Sequence, residues 1–319
     1  MDVGGDHCLA ELDRADSILC YREAELLNLV EVKSLSKRFG SEHAVDGIGF
    51  ELAEGSATAL IGPNGAGKTT TLSMLAGLLE ATGGEIQRKK NLSIGFLPQY
   101  PRFFPWLSAL EFTEMAAKLS GVDAKKARQQ SERTLGFVGL HQVAHKKIGG
   151  FSGGMKQRLG LAQAIVHQPS LLLLDEPISS LDPTGRREVM ELLKSLHGQT
   201  TVLYSTHILN DAEEMTDQLL FLQNGRLVEH GSLSEVRSRY EDPQIRIRFE
   251  NTDAAEGFVQ QAPWPAVVKG TAAVIPVKAE GPAMQDVFRF LAVKNLPVVG
   301  VEQETASLED IFLKVVAGK

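Results

Sequence analysis

An α/β fold is predicted: a parallel sheet covered on both faces, an α-helical subdomain within it, and a small C-terminal α+β domain. Three observations carry this reading. Apolar runs of strand length, at 57–61, 171–174 and 200–204, are separated by helical patterns, and strand, helix, strand in succession implies parallel pairing. From Trp106 to about Val166 the apolar spacing turns helical. After Pro243 the order strand, helix, strand, strand, helix, strand is the split-βαβ pattern of a ferredoxin-like domain.

The chain has 319 residues, which suits about two domains. Residues 1–28 read as a frayed arm to which no chemistry is assigned. A β-rich stretch follows, Leu29 to Lys33 and Val45 to Leu52, interrupted by the turn-prone Phe39-Gly40-Ser41. The strand Ala57 to Ile61 runs into GPNGAGKTT, after which Thr71 to Leu75 open a helical pattern. Thr82-Gly83-Gly84 breaks that pattern, and Leu92 to Leu97 returns to strand, ending at Pro98-Gln99.

In the helical region, about 100–166, Ser108 with Glu111 forms a capping box, Asp123 opens a second helix, and Ser152-Gly153-Gly154 a third. A helix is expected from about Gly185 to Leu196. Gln223-Asn224-Gly225-Arg226 marks a tight hairpin that closes the first domain, 29–232. The accessory domain, 243–319, has strands at 245–249, about 266–269 and 271–277, and 298–304, with helices near 253–262 and 283–295. A last helix, Ser307 to Ala317, starts at a Ser307/Asp310 cap. Its apolar face suits either a partner or packing within the chain.

Composition narrows the partners. A net charge of -7 disfavours nucleic acid and anionic lipid, whose phosphates attract basic surfaces. No apolar run approaches the roughly 20 residues of a membrane span, so no direct span is expected. The two cysteines, Cys8 and Cys20, predict neither a disulfide framework nor a zinc site, and no secretory leader is read at the N-terminus. Reducing cytosol is the simplest compartment.

Residues 62–70 carry the first chemistry. Gly62, Gly65 and Gly67 let the backbone curl so that its N–H groups converge with a helix N-terminus, while Pro63, Asn64, Ala66 and Thr70 complete the loop. Such a nest binds phosphate. Lys68 then reaches the β- and γ-phosphates of a nucleoside triphosphate, and the Thr69 hydroxyl completes the coordination of a bridging Mg²⁺. Asp175 and Glu176 follow the buried strand Leu171 to Leu174, where ligands of open α/β sheets bind. Downstream of a phosphate loop, Asp175 suits the Mg²⁺ shell and Glu176 suits a base for an attacking water. An isolated pair of acids there would be a helix cap.

In order, GPNGAGKTT, Gln99, Ser152-Gly153-Gly154-Met155-Lys156-Gln157-Arg158, Leu171 to Pro177, Ser179-Ser180-Leu181-Asp182 and Ser205-Thr206-His207 resemble the defining elements of the ATP-binding cassette (ABC) ATPases. The resemblance covers roughly residues 29–232 and implies a P-loop NTPase fold. The loop and the Leu308 to Phe312 tail look most like ATPase subunits of ABC-2-type exporters.

The resemblance further implies that Gln99 senses Mg²⁺ and the attacking water, and that His207 bonds the γ-phosphate. Ser152, Gly153 and Gly154 match the signature presented to ATP held by a second chain, and Asp182 the acid crossing that interface. Phe39 lies where an aromatic stacks on adenine. Taken singly, Gln99 is a loop amide, His207 an ordinary histidine, Ser152 a helix cap and Phe39 a core aromatic. Phe151 replaces the usual leucine, Phe39 the usual tyrosine, and the stretch between Gly84 and Ile94 is shorter than usual, which puts Arg88-Lys89-Lys90 in a solvated turn.

The implied partners are a second ATPase subunit and a transmembrane permease, with the chain at the cytoplasmic face of the cell membrane. Phe103, Phe104, Pro105 and Trp106 are either the permease-docking surface or core packing. Rival readings are an importer ATPase, a soluble ABC protein of DNA repair or translation, and a regulatory module that binds ATP without hydrolysing it.

Overall fold

The computed structural model describes residues 28–179, 181–240, 243–277, 282–294, 296–304 and 307–316. The arm 1–27 with Cys8 and Cys20 lies outside the described residues, as do Ser180 and the last residues, Asn295 and Ala317, of two expected helices. The chain falls into two units that divide between Ser232 and Leu233.

In the first unit, β1 (Asn28–Phe39) pairs antiparallel with both β2 (Glu42–Ala53) and β4 (Gly83–Arg88) in a three-stranded sheet. A second sheet has the order β5-β6-β7-β3-β8-β9. Its members are β3 (Ala57–Ile61), β5 (Ile94–Leu97), β6 (Leu171–Asp175), β7 (Thr201–Thr206), β8 (Gln218–Gln223) and β9 (Arg226–Ser232). Neighbours from β5 to β8 are parallel, and β9 returns antiparallel to β8 through a turn whose Asn224 and Gly225 both have positive φ. All residues of β6 are buried, which requires cover on both sheet faces. Burial of each leucine there contributes on the order of 2 kcal/mol.

Helix α1 (Lys68–Leu75) follows β3, and its Leu72, Met74 and Leu75 join Leu35, Ile48, Leu171 and Leu203 in one core linking both sheets. The helical part comprises α2 (Ala109–Leu119), α3 (Ala124–Phe137) and α4 (Gly153–Ile165), with α2 opened by the complete Ser108/Glu111 capping box and α3 by Asp123. Helix α4 approaches β5 closely, for a Cβ on Gly95 would lie 2.1 Å from the Ala164 carbonyl oxygen. Helices α5 (Pro183–Ser195) and α6 (Leu209–Met215) follow β6 and β7.

Parallel register determines where chemistry can gather. Leu97 lies beside Leu174, Asp175 beside Ser205, and Ile61 beside Thr206, so the residues that follow β5, β6, β7 and β3 leave at one edge of the sheet.

Several local expectations are corrected. Strand β1 continues past Lys33, so Phe39 ends a strand instead of sitting in the turn. The helical pattern does end before Gly83, but a strand not expected from the sequence, β4, starts there. Arg88 is not in a solvated turn. Its guanidinium donates to the carbonyls of Met74 (3.4 Å) and Leu75 (3.1 Å) at the end of α1, while Lys89 pairs with Glu54 at 2.6 Å.

The second unit opens with α7 (Leu233–Arg239), which the sequence reading did not foresee. Four antiparallel strands then order as β11-β12-β10-β13, with β10 (Gln244–Phe249), β11 (Val267–Lys269), β12 (Ala272–Pro276) and β13 (Val298–Glu304). With α8 (Thr252–Gln261) and α9 (Met284–Lys294) in the connections, this is the ferredoxin-like order. Ile247, Phe249, Phe258, Ile275 and Val287 form its core. The last helix, α10 (Leu308–Val316), is capped by Ser307, whose hydroxyl accepts from the Asp310 amide at 3.1 Å.

Candidate active site

The phosphate loop bends between β3 and α1 under tight steric limits. A Cβ on Gly62 would lie 2.2 Å from the Leu222 carbonyl oxygen. Gly67 adopts φ 103°, and a Cβ there would lie 2.3 Å from the Ala44 carbonyl oxygen, so neither position accepts a larger residue. The turn of the β8–β9 hairpin closes over the loop, as the Gly225 amide donates to the Ala66 carbonyl at 3.1 Å. The start of α1 has no side-chain cap, which leaves its first amides for an anion. Ala66 is buried inside the curl, whereas Pro63, Asn64, Gly65 and Thr69 are exposed and Thr70 half-buried.

Two chains of polar contacts meet at this edge. In the first, Lys68 Nζ donates to the carbonyls of Gly62 (2.8 Å) and Pro63 (3.2 Å) and lies 3.6 Å from Glu176 Oε1, both side chains being 7% exposed. His207 Nδ1 lies 2.9 Å from Glu176 Oε2. Burial pushes the Lys68 ammonium below its usual pKa, against the opposing pull of Glu176. In the second chain, the buried Asp175 accepts from Thr69 Oγ1 at 2.8 Å and from Ser205 Oγ at 2.6 Å. Ser205 Oγ in turn accepts the Glu176 amide at 2.9 Å. Glu176 itself adopts φ 47°, a left-handed conformation that costs a non-glycine residue about 1–3 kcal/mol and persists because both its ends are held.

The remaining candidates lie apart from these chains. Ser152 caps α4, accepting the Met155 amide at 3.3 Å, and is exposed with Gly153, while Gly154 is half-buried. Asp182 caps α5 through the Gly185 amide at 3.2 Å. Gln99 follows β5 half-buried, and Phe39 is 52% exposed with the Lys37 ammonium 5.2 Å from its ring centroid. Among the described residues, no hydrogen bond or ion pair joins Ser152, Asp182, Gln99 or Phe39 to the two chains. The aromatic segment divides: Phe103 stacks edge-on against the buried Phe112 at 5.2 Å, whereas Phe104 and Trp106 are exposed.

Sequence reasoning assigned no role to Ser205, the hub of the second chain, or to Gln157, whose buried amide donates to the Pro177 carbonyl at 2.6 Å and ties α4 to the segment after Glu176. Both stand inside quoted motifs, which was the available signal.

A family model described as ABC transporter matches residues 45–179, and one described as ATP-binding protein DrrA1-3-like, C-terminal domain, matches residues 231–316. The uncharacterized ABC transporter ATP-binding protein YxlF of Bacillus subtilis (strain 168) is 42% identical over 299 residues, 90% of this chain and 99% of that protein. The chain belongs to the ABC transporter ATP-binding family. It is therefore an ATP-binding, ATP-hydrolysing subunit of an ABC transporter. The ABC relative BcrA of Bacillus licheniformis, a bacitracin transport ATP-binding protein, is 31% identical over 305 residues, 91% of this chain and 98% of its own. A solved ABC cassette, described as the dimeric structure of a post-hydrolysis state bound to ADP and Pi, is 27% identical with a TM-score of 0.58. That match covers 64% of this chain and 98% of that one.

The residues fit both expected groups. Steric exclusion at Gly62 and Gly67, the uncapped helix start and the buried Lys68 suit a polyphosphate. A hydroxyl and a carboxylate meet at Thr69 and Asp175, hard oxygen donors suited to Mg²⁺. Among the described residues no group of three or more His, Cys, Asp or Glu could hold a metal. Among the described residues no helix is long and apolar enough to cross a membrane.

Proposed function

We propose that two copies of a cassette, this chain and an identical or related one, enclose ATP between the phosphate loop of one and the Ser152 signature of the other, and so drive an exporter. The observation that carries this is the contrast in how the candidates are bonded. Lys68, Glu176, His207, Thr69 and Asp175 are interlinked, whereas Ser152 and Asp182 only cap their own helices. The dimeric cassette among the solved relatives and the bacitracin transport relative support the assembly and the role in transport. Import by the same engine is the competing reading.

In this reading Lys68 leaves the Gly62 and Pro63 carbonyls for the phosphates. With Lys68 drawn to the phosphates and His207 holding one of its oxygens, Glu176 takes a proton from water as the water oxygen bonds to the γ-phosphorus. The bond to the β–γ bridging oxygen breaks and ADP leaves with its electron pair. His207 orients Glu176 and bonds the γ-phosphate, Gln99 orients the water, and Phe39 offers a stacking face to adenine. Mg²⁺, held by Thr69, Asp175 and Gln99, would neutralise charge on the β- and γ-phosphates. Closure does work because ATP favours the closed dimer over the open one. In this reading the exposed Phe104 and Trp106 offer the surface that meets a transmembrane subunit, with the chain at the cytoplasmic face of the membrane.

Phosphate release from purified full-length protein tests the reading. Glu176→Gln is expected to lower turnover on the order of 10²- to 10⁴-fold, to keep ATP binding, and to accumulate an ATP-bound dimer in light scattering. Wild-type turnover in this variant would remove Glu176 as the base. Failure of the wild type to bind ATP would overturn the proposal as a whole.

A further inference from the structure

Helix α5 is bound to α6 by a contact that no motif contains. Asp211, in the first turn of α6, is 4% exposed, and its Oδ1 accepts from Arg186 Nε at 3.1 Å and also from Arg186 Nη2. Arg186 sits on the first turn of α5, where its amide donates to the Asp182 carbonyl at 2.9 Å. Asp211 lies four residues beyond His207, and the loop that leads into α6 is tied down by the Ile208 amide donating to Thr206 Oγ1 at 3.0 Å. The same helices share a second link, Lys194 to Glu214 at 2.6 Å, but both of those side chains reach solvent.

We propose that Arg186 and Asp211 are positioning residues for His207, holding the His207 loop in register with the Asp182 turn. What His207 does to Glu176 is taken from the composite-site reading above. The pair, with Asp211 buried and Arg186 half-buried, then couples the turn at Asp182, where a second copy meets the chain, to the segment that carries the histidine beside Glu176. Arg186 is suited to this because two donors of one planar group grip one oxygen, which fixes direction as well as distance. A lysine keeps the charge and loses the fork.

Steady-state ATPase kinetics and nitrogen NMR of histidine-labelled full-length protein test this together. The chain has eight histidines, and the His207 signal is assigned by its loss in His207→Gln. Asp211→Asn and Arg186→Lys are each expected to lower kcat about tenfold, to leave KM for ATP within about twofold, and to shift the ring-nitrogen signals of His207. Adding His207→Ala to Asp211→Asn is expected to cost less than the product of the two single losses. Retained ATP affinity shows that each variant is folded.

Wild-type kcat in both variants, with His207 signals unmoved, would overturn the proposal. So would full multiplicativity with His207→Ala, or a loss in Glu214→Gln as large as that in Asp211→Asn. An inactive wild type would instead sink the composite-site reading, and the NMR shift would then decide this inference alone.

Discussion

The two halves of the candidate site are built on different principles. Around Glu176 each functional side chain touches another: Lys68 and His207 take one carboxylate oxygen each, and Asp175 has both oxygens occupied by hydroxyls. Around the signature, Ser152 and Asp182 each satisfy an amide of their own helix and present the rest of their surface to solvent. The first half is preorganised by a single chain, at the expense of a strained φ at Glu176. The second has geometry but nothing within hydrogen-bond reach to act on, which is what half of an intermolecular site needs.

Mixing two inactive chains gives the strongest test of this division. Lys68→Ala removes the phosphate half and Ser152→Arg the signature half. In a symmetric pair of one of each, one composite site keeps both halves intact. Equal amounts of the two variants, each inactive alone, are expected to recover about a quarter of wild-type phosphate release. No recovery above the separate proteins, with mixed dimers demonstrated, would place both halves in one chain and refute the division.

A smaller effect separates the halves by stability. Ser205→Ala removes a donor to Asp175 and strands the buried Glu176 amide, which should cost about 1–3 kcal/mol and lower turnover as well. Ser152→Gly should cost only a few tenths of a kcal/mol, because glycine is tolerated at a helix N-cap, yet reduce turnover about tenfold. Denaturant midpoints set beside ATPase rates give the comparison. Equal stability losses would show that the signature is as interlocked as the Glu176 side.

How much of this was legible depended on how local each signal was. The phosphate loop, the Ser108 cap and the Asn224-Gly225 turn are encoded within a few consecutive residues, and the ferredoxin-like order follows from strands and helices with clear periodicity. Strand β1 was read too short because Ser34 has φ 49° and the pairing shifts register near it, so the alternation of buried residues is lost there. Helix α6 was missed because seven residues hold barely two turns of pattern. Ser205 and Gln157 act on Asp175 and Pro177, far off in sequence, and only the parallel register and the helix packing bring them together.

The smallest predicted effect concerns the region that carries the signature. Helix α2 depends on a cap whose carboxylate is exposed: Glu111 accepts from the amide of the buried Ser108 at 2.7 Å and its hydroxyl at 2.8 Å, and pairs with Lys147 at 3.2 Å. Those bonds to Ser108, with Lys147 adding to them, pull the Glu111 carboxyl from its ordinary 4.5 down to about 2. Because the folded value lies below the unfolded one, the contribution to stability is fully present above pH 4.5 and is lost as pH falls toward about 2. Glu111→Gln should flatten that part of the pH–stability curve while leaving stability near neutral pH only slightly lower. Hydrogen exchange measured between pH 4.5 and 3 should show α2 losing protection before β6 and β7, whose strands are buried throughout. Simultaneous loss in helix and strands would mean that the signature-bearing region is no softer than the sheet edge it serves.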